Sequence, residues 1–252
     1  MNPMKMIIMV MMLIFSSCNH YYYSHNKANI PGLREKNDMV VDAGIGTGWA
    51  MMGAEVQTAY AVGDHFGIMI NGSVTQNKEQ IAYDWDEEDE TKSAFIEAGI
   101  GYFKNIEAND NWLFEIYGGG GKGSYWLDFE DNRKLNLKMN RFFAQPSMVY
   151  TFPNRKIEFG IASRISVATY STNDLFQNSG NFSNEIYELV TGPAKAFWEP
   201  SFRFSAGPGK VKFYFSFTPS LSLNQDFINR EIANLNGGIR FIFNTSRRNG
   251  RF

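Results

Sequence analysis

Eleven ionisable side chains recur on the polar side of a chain that otherwise alternates with apolar residues. They are Asp42, Glu55, Glu97, Glu115, Glu158 and Glu199 against Arg141, Arg164, Arg203, Lys212 and Arg240. Carboxylates and bases in near-equal number can do two kinds of chemistry. They can move protons as general acids and bases, or they can neutralise one another where water is scarce. A further reactive group stands apart. Cys18, the only cysteine, ends the run MIIMVMMLIFSSC (6–18), which Lys5 precedes. A cation, a short apolar stretch and small residues before a cysteine are the layout of a secretory signal whose cleavage leaves that cysteine for acylation, palmitate being one acyl group of the kind. Three residues before the cysteine stands Phe15, where leucine is more usual. The run is too short to cross a bilayer, which takes about 20 apolar residues. The sequence thus predicts a signal peptide over 1–17, lipidation at Cys18 and export.

The elements that position the charges are strands. In 41–49, Val41, Ala43, Ile45, Thr47 and Trp49 oppose Asp42, Gly44, Gly46 and Gly48; in 54–62, Val56, Tyr60 and Val62 oppose Glu55 and Gln57. The same period of two runs through 66–74, 94–102 and 112–116. It returns in 142–152, 157–167, 198–205, 211–221 and 235–243. That makes ten strands, most of them long enough to cross a bilayer at a tilt, where about 9–11 residues suffice. The composition agrees: 22 Phe, 12 Tyr and 23 Gly accompany a mean hydropathy of only −0.31, as expected where only every second residue meets lipid.

Alternation alone also fits a soluble, lipocalin-like ligand-binding barrel. Ten strands of Phe, Trp, Tyr and Ile would overfill a small interior, however, whereas balanced charges can pair inside a narrow lumen. Glycines on the polar side (Gly44, Gly46, Gly48, Gly99 and Gly101) leave those side chains room. The expectation is an all-β fold, one closed antiparallel transmembrane β-barrel of about ten strands, eight being the alternative, with a charged and Gly-lined lumen. Connections after even strands are short, and several after odd strands are long, notably 76–92 and 170–195. Outer-membrane barrels keep short turns in the periplasm and long loops outside. Both chain ends are then expected in the periplasm, with a Cys18 lipid in the inner leaflet. Pro146, Pro200 and Pro219 fall inside strands and are read as bulges or kinks.

Other motifs carry less. Gly118–Gly121 with Lys122 fails the phosphate-loop spacing, because Ile116 stands where the first glycine belongs and Gly123 follows the lysine. Gly44–Gly48 lacks the full dinucleotide fingerprint. Barrel enzymes of this size generally use a histidine, and His20, His25 and His65 all lie away from the expected extracellular loops, so no catalytic residue, metal or cofactor is expected. A net charge of −2 gives no reason to expect nucleic acid. The run Asp84, Asp86, Glu87, Glu88, Asp89 and Glu90 could gather cations or a basic partner, though a solvated loop explains it as well. The loop 171–194, with Phe176, Phe182, Ile186 and Tyr187, could close the mouth or meet a partner.

The segment Tyr21-Tyr22-Tyr23 … Asn29-Ile30-Pro31-Gly32-Leu33-Arg34-Glu35-Lys36-Asn37-Asp38, with Ala59–His65 and Glu199-Pro200, resembles Bacteroidota outer-membrane β-barrel lipoproteins. In that family a Tyr/Pro-rich stretch follows the Cys and P-L-x-E-K-x-D/E leads into the first strand; here Gly32 interrupts the Pro-Leu step. The resemblance implies an outer-membrane address and no assigned catalytic activity, and it adds no site residues. The expected organisation is a signal peptide (1–17), a periplasmic tether (18–38), a barrel (39–245) and a tail (246–252). The expected role is non-enzymatic, envelope structure or surface contact through the long loops, with the outer-membrane bilayer as partner. A small pore for solutes is the alternative.

Overall fold

A computed structural model describes residues 21–24, 26–77, 90–106, 111–129, 133–172, 184–224 and 228–244. Cys18, the signal segment, residues 84–89, Phe176, Phe182 and the tail 246–252 lie outside these described residues. Alternation produces strands β1 (Asp38–Thr47), β2 (Met51–Ala61), β3 (Phe66–Asn77), β4 (Glu90–Asn105), β5 (Trp112–Asp128), β6 (Lys134–Thr151), β7 (Ile157–Ser171) and β8 (Lys195–Ala206). They are followed by β9 (Val211–Pro219), β10 (Leu221–Ser222) and β11 (Ala233–Asn244), and one helix, α1 (Asn184–Thr191), lies between β7 and β8. Each strand pairs antiparallel with its neighbour; β8 pairs with both β9 and β10, β9 with β11, and β11 with β1. The sheet therefore closes on itself. Since β9 and β10 share one stave, the eleven strands make a closed barrel of ten staves.

The prolines sit in one row: Pro146 faces the level of Ser163, Ser163 pairs with Pro200, and β9 ends at Pro219. They leave gaps rather than bulges. The β6–β7 ladder lapses between Ala144↔Ile165 and Ser147↔Ala162 and resumes in the same register. A missing N–H removes a ladder bond, but no residue is inserted, so of the expected bulges or kinks the bulges are not formed.

The faces divide as the alternation predicts. Ile100, Phe213 and Phe142 are 73%, 70% and 68% exposed, whereas Glu97, Arg164 and Arg203 are buried inside. Around the short-turn rim the outward aromatics touch in sequence: Trp112 on Tyr150 (4.8 Å between centroids), Tyr150 on Phe152, Phe152 on Phe159 and Phe159 on Phe204 (5.1 Å). That is one of the interfacial girdles that membrane barrels carry. No helix among the described residues is long and apolar enough to cross a membrane, and the crossing elements are strands.

β4, β5 and β6 run to 16, 17 and 18 residues, beyond the 9–11 or so that a bilayer requires. In their long-loop ends the two faces exchange character. Tyr125, Leu127, Leu135, Leu137 and Met139 point inward into an apolar cluster with Tyr170 and Phe197, while Lys92, Lys122, Lys134 and Lys138 point out. Apolar-in and charged-out is how a barrel packs in water, so this part stands above the hydrocarbon. Helix α1 closes over it, burying Ile186 and Leu189 in the same cluster and leaving Tyr187 exposed. Glu90, from the acidic run, opens β4 and pairs with Lys92.

The expectation for the N-terminal segment is overturned. The stretch read as a periplasmic tether, 18–38, is not in the periplasm over its described part: Tyr22, Tyr23, Asn26, Lys27, Ala28, Asn29, Ile30 and Leu33 are all buried within the barrel. Tyr22 N–H donates to Asn229 O and Glu231 N–H to Tyr23 O at the long-loop mouth, whereas Asn37 N–H donates to Ala61 O at the short-turn mouth. Residues 21–24 and 26–37 thus cross the lumen from end to end before β1 begins. Asn37 adopts φ +68°, a left-handed conformation that Asn tolerates, where the segment reverses into β1.

Lumen glycines make room for large side chains. A Cβ on Gly101 would lie 2.4 Å from Tyr117 Cδ1 and 2.5 Å from Ile116 O, and one on Gly44 would lie 2.2 Å from Tyr214 Oη. Gly101→Val is therefore expected to destabilise the barrel by about 3 kcal/mol or to block its assembly, since overpacking costs ~1–3 kcal/mol even without backbone contact. The check is loss of the heat-modifiable band on gels.

Candidate functional site: the filled lumen

The eleven predicted lumen charges are all buried, and two groups form with the threaded segment between them. Towards the long-loop mouth, Arg141 Nη2 lies 2.5 Å from Glu97 Oε2, Arg164 Nε 2.7 Å from Glu199 Oε2, and Arg164 Nη1 3.6 Å from Glu97. Tyr23 donates to Glu199 Oε1 at 2.6 Å, accepts from Arg141 Nη1 at 3.1 Å and stacks on Phe197 at 4.0 Å. Asn26 Nδ2 donates to Glu97 at 2.9 Å, and its Oδ1 accepts from Arg141 at 2.6 Å. The second group lies nearer the short turns. Arg240 pairs with Asp42 at 3.0 Å and Lys212 with Glu158 at 2.8 Å, with Arg203 and Arg240 each 3.7 Å from Glu158.

Beyond the six acids and five bases expected from the sequence, Lys27 of the threaded segment adds a further base to the lumen. Its Nζ lies 3.2 Å from Asp42 and 3.6 Å from Glu55, and it donates to Gln57 Oε1 at 2.8 Å. Glu55 left without that cation in a buried lumen would be costly. The segment thus completes the network electrostatically. Nothing in its pattern is periodic, so strand signals miss it; the odd acid in the count was the one clue.

The wall also satisfies the segment's backbone, which has no neighbouring strand over most of its length. Carbonyls of Asn26, Lys27 and Asn29 accept from Arg164 (2.7 Å), Gln57 (2.8 Å) and Gln145 (2.6 Å), and those of Ile30 and Pro31 from Arg203 and Arg240. Ser24 N–H donates to Tyr125 Oη at 2.9 Å, while Gly32 and Leu33 N–H donate to Glu115 Oε1 at 3.0 and 3.2 Å. Glu115 is therefore held by backbone donors and by Ser147 rather than by a base. Buried peptide groups need such partners, and here long polar and charged side chains take the place of a sheet neighbour. Ile30 and Leu33 fill the apolar short-turn half against Tyr117, Phe143 and Val149.

Glu231, which the sequence reading missed, seals the other end. Its carboxylate accepts from Trp49, Ala50 and Met51 N–H at 2.5, 2.9 and 2.7 Å, fixing the β1–β2 turn at the long-loop mouth. No group of His, Cys, Asp and Glu that could hold a metal occurs among the described residues.

No family model matches the chain, and no curated protein matches it. Among solved structures it is similar to an outer membrane channel from Pseudomonas putida F1, at 8% identity and TM-score 0.48, over 87% of this chain and all of that one. It is also similar to the translocator domain of the autotransporter NalP from Neisseria meningitidis, at 10% identity and TM-score 0.44, over 87% of this chain and 90% of that one. OmpT, an outer membrane protein of Vibrio cholerae, is matched at 13% identity and TM-score 0.31, over 83% of this chain and 62% of that one.

Proposed function

We propose that this chain is a non-enzymatic outer-membrane β-barrel lipoprotein, acylated on Cys18, that acts as a structural or contact element of the envelope through its long-loop face. The observation that carries the reading is the lumen occupied from mouth to mouth by residues 21–37. The carboxylates and guanidinium groups that could have served acid–base chemistry or lined a pore are instead bound to that segment and to each other. The lipid-facing girdle, the even number of staves and the asymmetry of the connections support the outer membrane as the address.

The same observation weighs against a small solute channel. About eight strands already leave a bore filled by side chains, and open porins have 16–18; ten staves holding an additional peptide should be silent. In planar bilayers the purified full chain is expected to show no steady conductance, and a large, sustained conductance would reject the structural role. Cys18→Ala is expected to stay with membranes until detergent is added and to keep its heat-modifiable migration. Release of that variant into buffer would instead favour the soluble ligand-binding barrel.

A further inference from the structure

The direction in which residues 21–37 run fixes where the N-terminal end comes out. Tyr23 forms a parallel bridge with Arg230, in the connection before β11, and Tyr22 N–H donates to Asn229 O, both at the long-loop mouth. Sixteen positions later the segment reaches the opposite mouth: Arg34 Nη2 donates to Thr151 Oγ1 at 2.7 Å at the end of β6, and Asp38 starts β1 opposite Asn244 of β11. An even-staved barrel without such a segment keeps both chain ends on the short-turn side. Here the last strand still ends there, but the first residues have been carried across.

We infer that the N-terminal end of the exported chain opens on the cell surface beside the long loops, so that an acyl group on Cys18 anchors in the outer leaflet. The leaflet rests on the lipoprotein reading above; the side on which the end emerges does not. Chain length decides between the leaflets. Three peptide units separate Cys18 from Tyr21, a reach of about 10 Å at ~3.3–3.6 Å per residue. The apolar band of such a barrel is about 25 Å tall. From the long-loop mouth, a lipid on Cys18 lies on the side of the near leaflet and falls well short of the far one. The inner-leaflet anchor expected from strand parity alone is therefore replaced by a surface anchor. The interior supports a permanent passage rather than a transient one, because Lys27, Asn26 and Tyr23 are integral to the ion-pair network.

The test uses the full chain with a short epitope inserted after Asn19, and two companions with the same epitope after Asp64 in the β2–β3 turn or after Asn178 in the β7–α1 connection. The Asn19 and Asn178 epitopes are expected to bind antibody as strongly in intact cells as after permeabilisation, and the Asp64 epitope only after permeabilisation. An Asn19 epitope hidden in intact cells while that at Asn178 is exposed would overturn the inference, as would both being hidden. If an insertion prevents the heat-modifiable form, His20→Cys with a membrane-impermeant maleimide gives the same reading. Mass spectrometry of the N-terminal peptide separates the two ideas. An unmodified Cys18 with an exposed Asn19 epitope removes the lipid and leaves the passage intact; an acylated Cys18 with a hidden epitope does the reverse.

Discussion

Removing residues 21–34 behind an intact signal is expected to turn a silent barrel into a conducting one. The deletion takes out Tyr23, Asn26, Lys27, Ile30 and Leu33, which together fill the lumen from the apolar cluster at the long-loop mouth to the one near the short turns. Water then replaces the peptide around Arg141, Arg164, Arg203 and Arg240, whose donors to the segment are freed. A hydrated bore tolerates unpaired charges that a dry one does not. Planar-bilayer recording should show discrete steps absent from the parent chain, and heat-modifiability on gels should show that the sheet still closes. Lys27→Met is the milder companion. It leaves Glu55 without its base and Asp42 with Arg240 alone, and brief openings are expected rather than a steady current.

Arg141→Met should destabilise the barrel more than any substitution on the lipid face. Arg141 is buried, pairs with Glu97 at 2.5 Å, donates to Tyr23 and Asn26, and lies 4.1 Å from the Phe95 ring centroid. Removing one partner of such a pair costs about 3–5 kcal/mol, and Glu97 then keeps only Arg164 at 3.6 Å as a cationic partner beside the amides of Asn26 and Asn71. The Glu97→Gln, Arg141→Met double variant should recover part of that loss, because the under-compensated carboxylate is then gone. A double-mutant cycle in urea, read by the folded and unfolded bands, measures the coupling. Equal losses in the single and double variants would mean that the pair is not what holds the segment.

The barrel was legible because lipid outside and charge inside force opposite chemistry onto alternate residues. Val41, Ala43 and Ile45 against Asp42, or Phe213 and Phe215 against Lys212, announce both the strand and its orientation. The same rule hid the upper ends of β5 and β6. There Leu127 and Leu135 turn inward and Lys134 turns outward, so a search for one apolar face meets a reversal and reads residues 127–134 as loop. The strand period continues unbroken; the solvent outside changes from lipid to water. The charge network was legible in its members and not in its geometry, because the peptide that joins the two halves has no secondary structure of its own. Its residues, Asn26, Lys27 and Asn29, look like a solvated linker until the lumen supplies their partners.

The seam between β1 and β11 dictates an order of events in biogenesis. Arg240, on the final strand, grips the carbonyl of Pro31 and the carboxylate of Asp42 at once. A bore packed with tyrosine, arginine and leucine leaves no opening through which a chain end could be drawn afterwards. We therefore expect the leading residues to be laid down first and the wall wrapped around them, with the C-terminal strand zipping the enclosure shut.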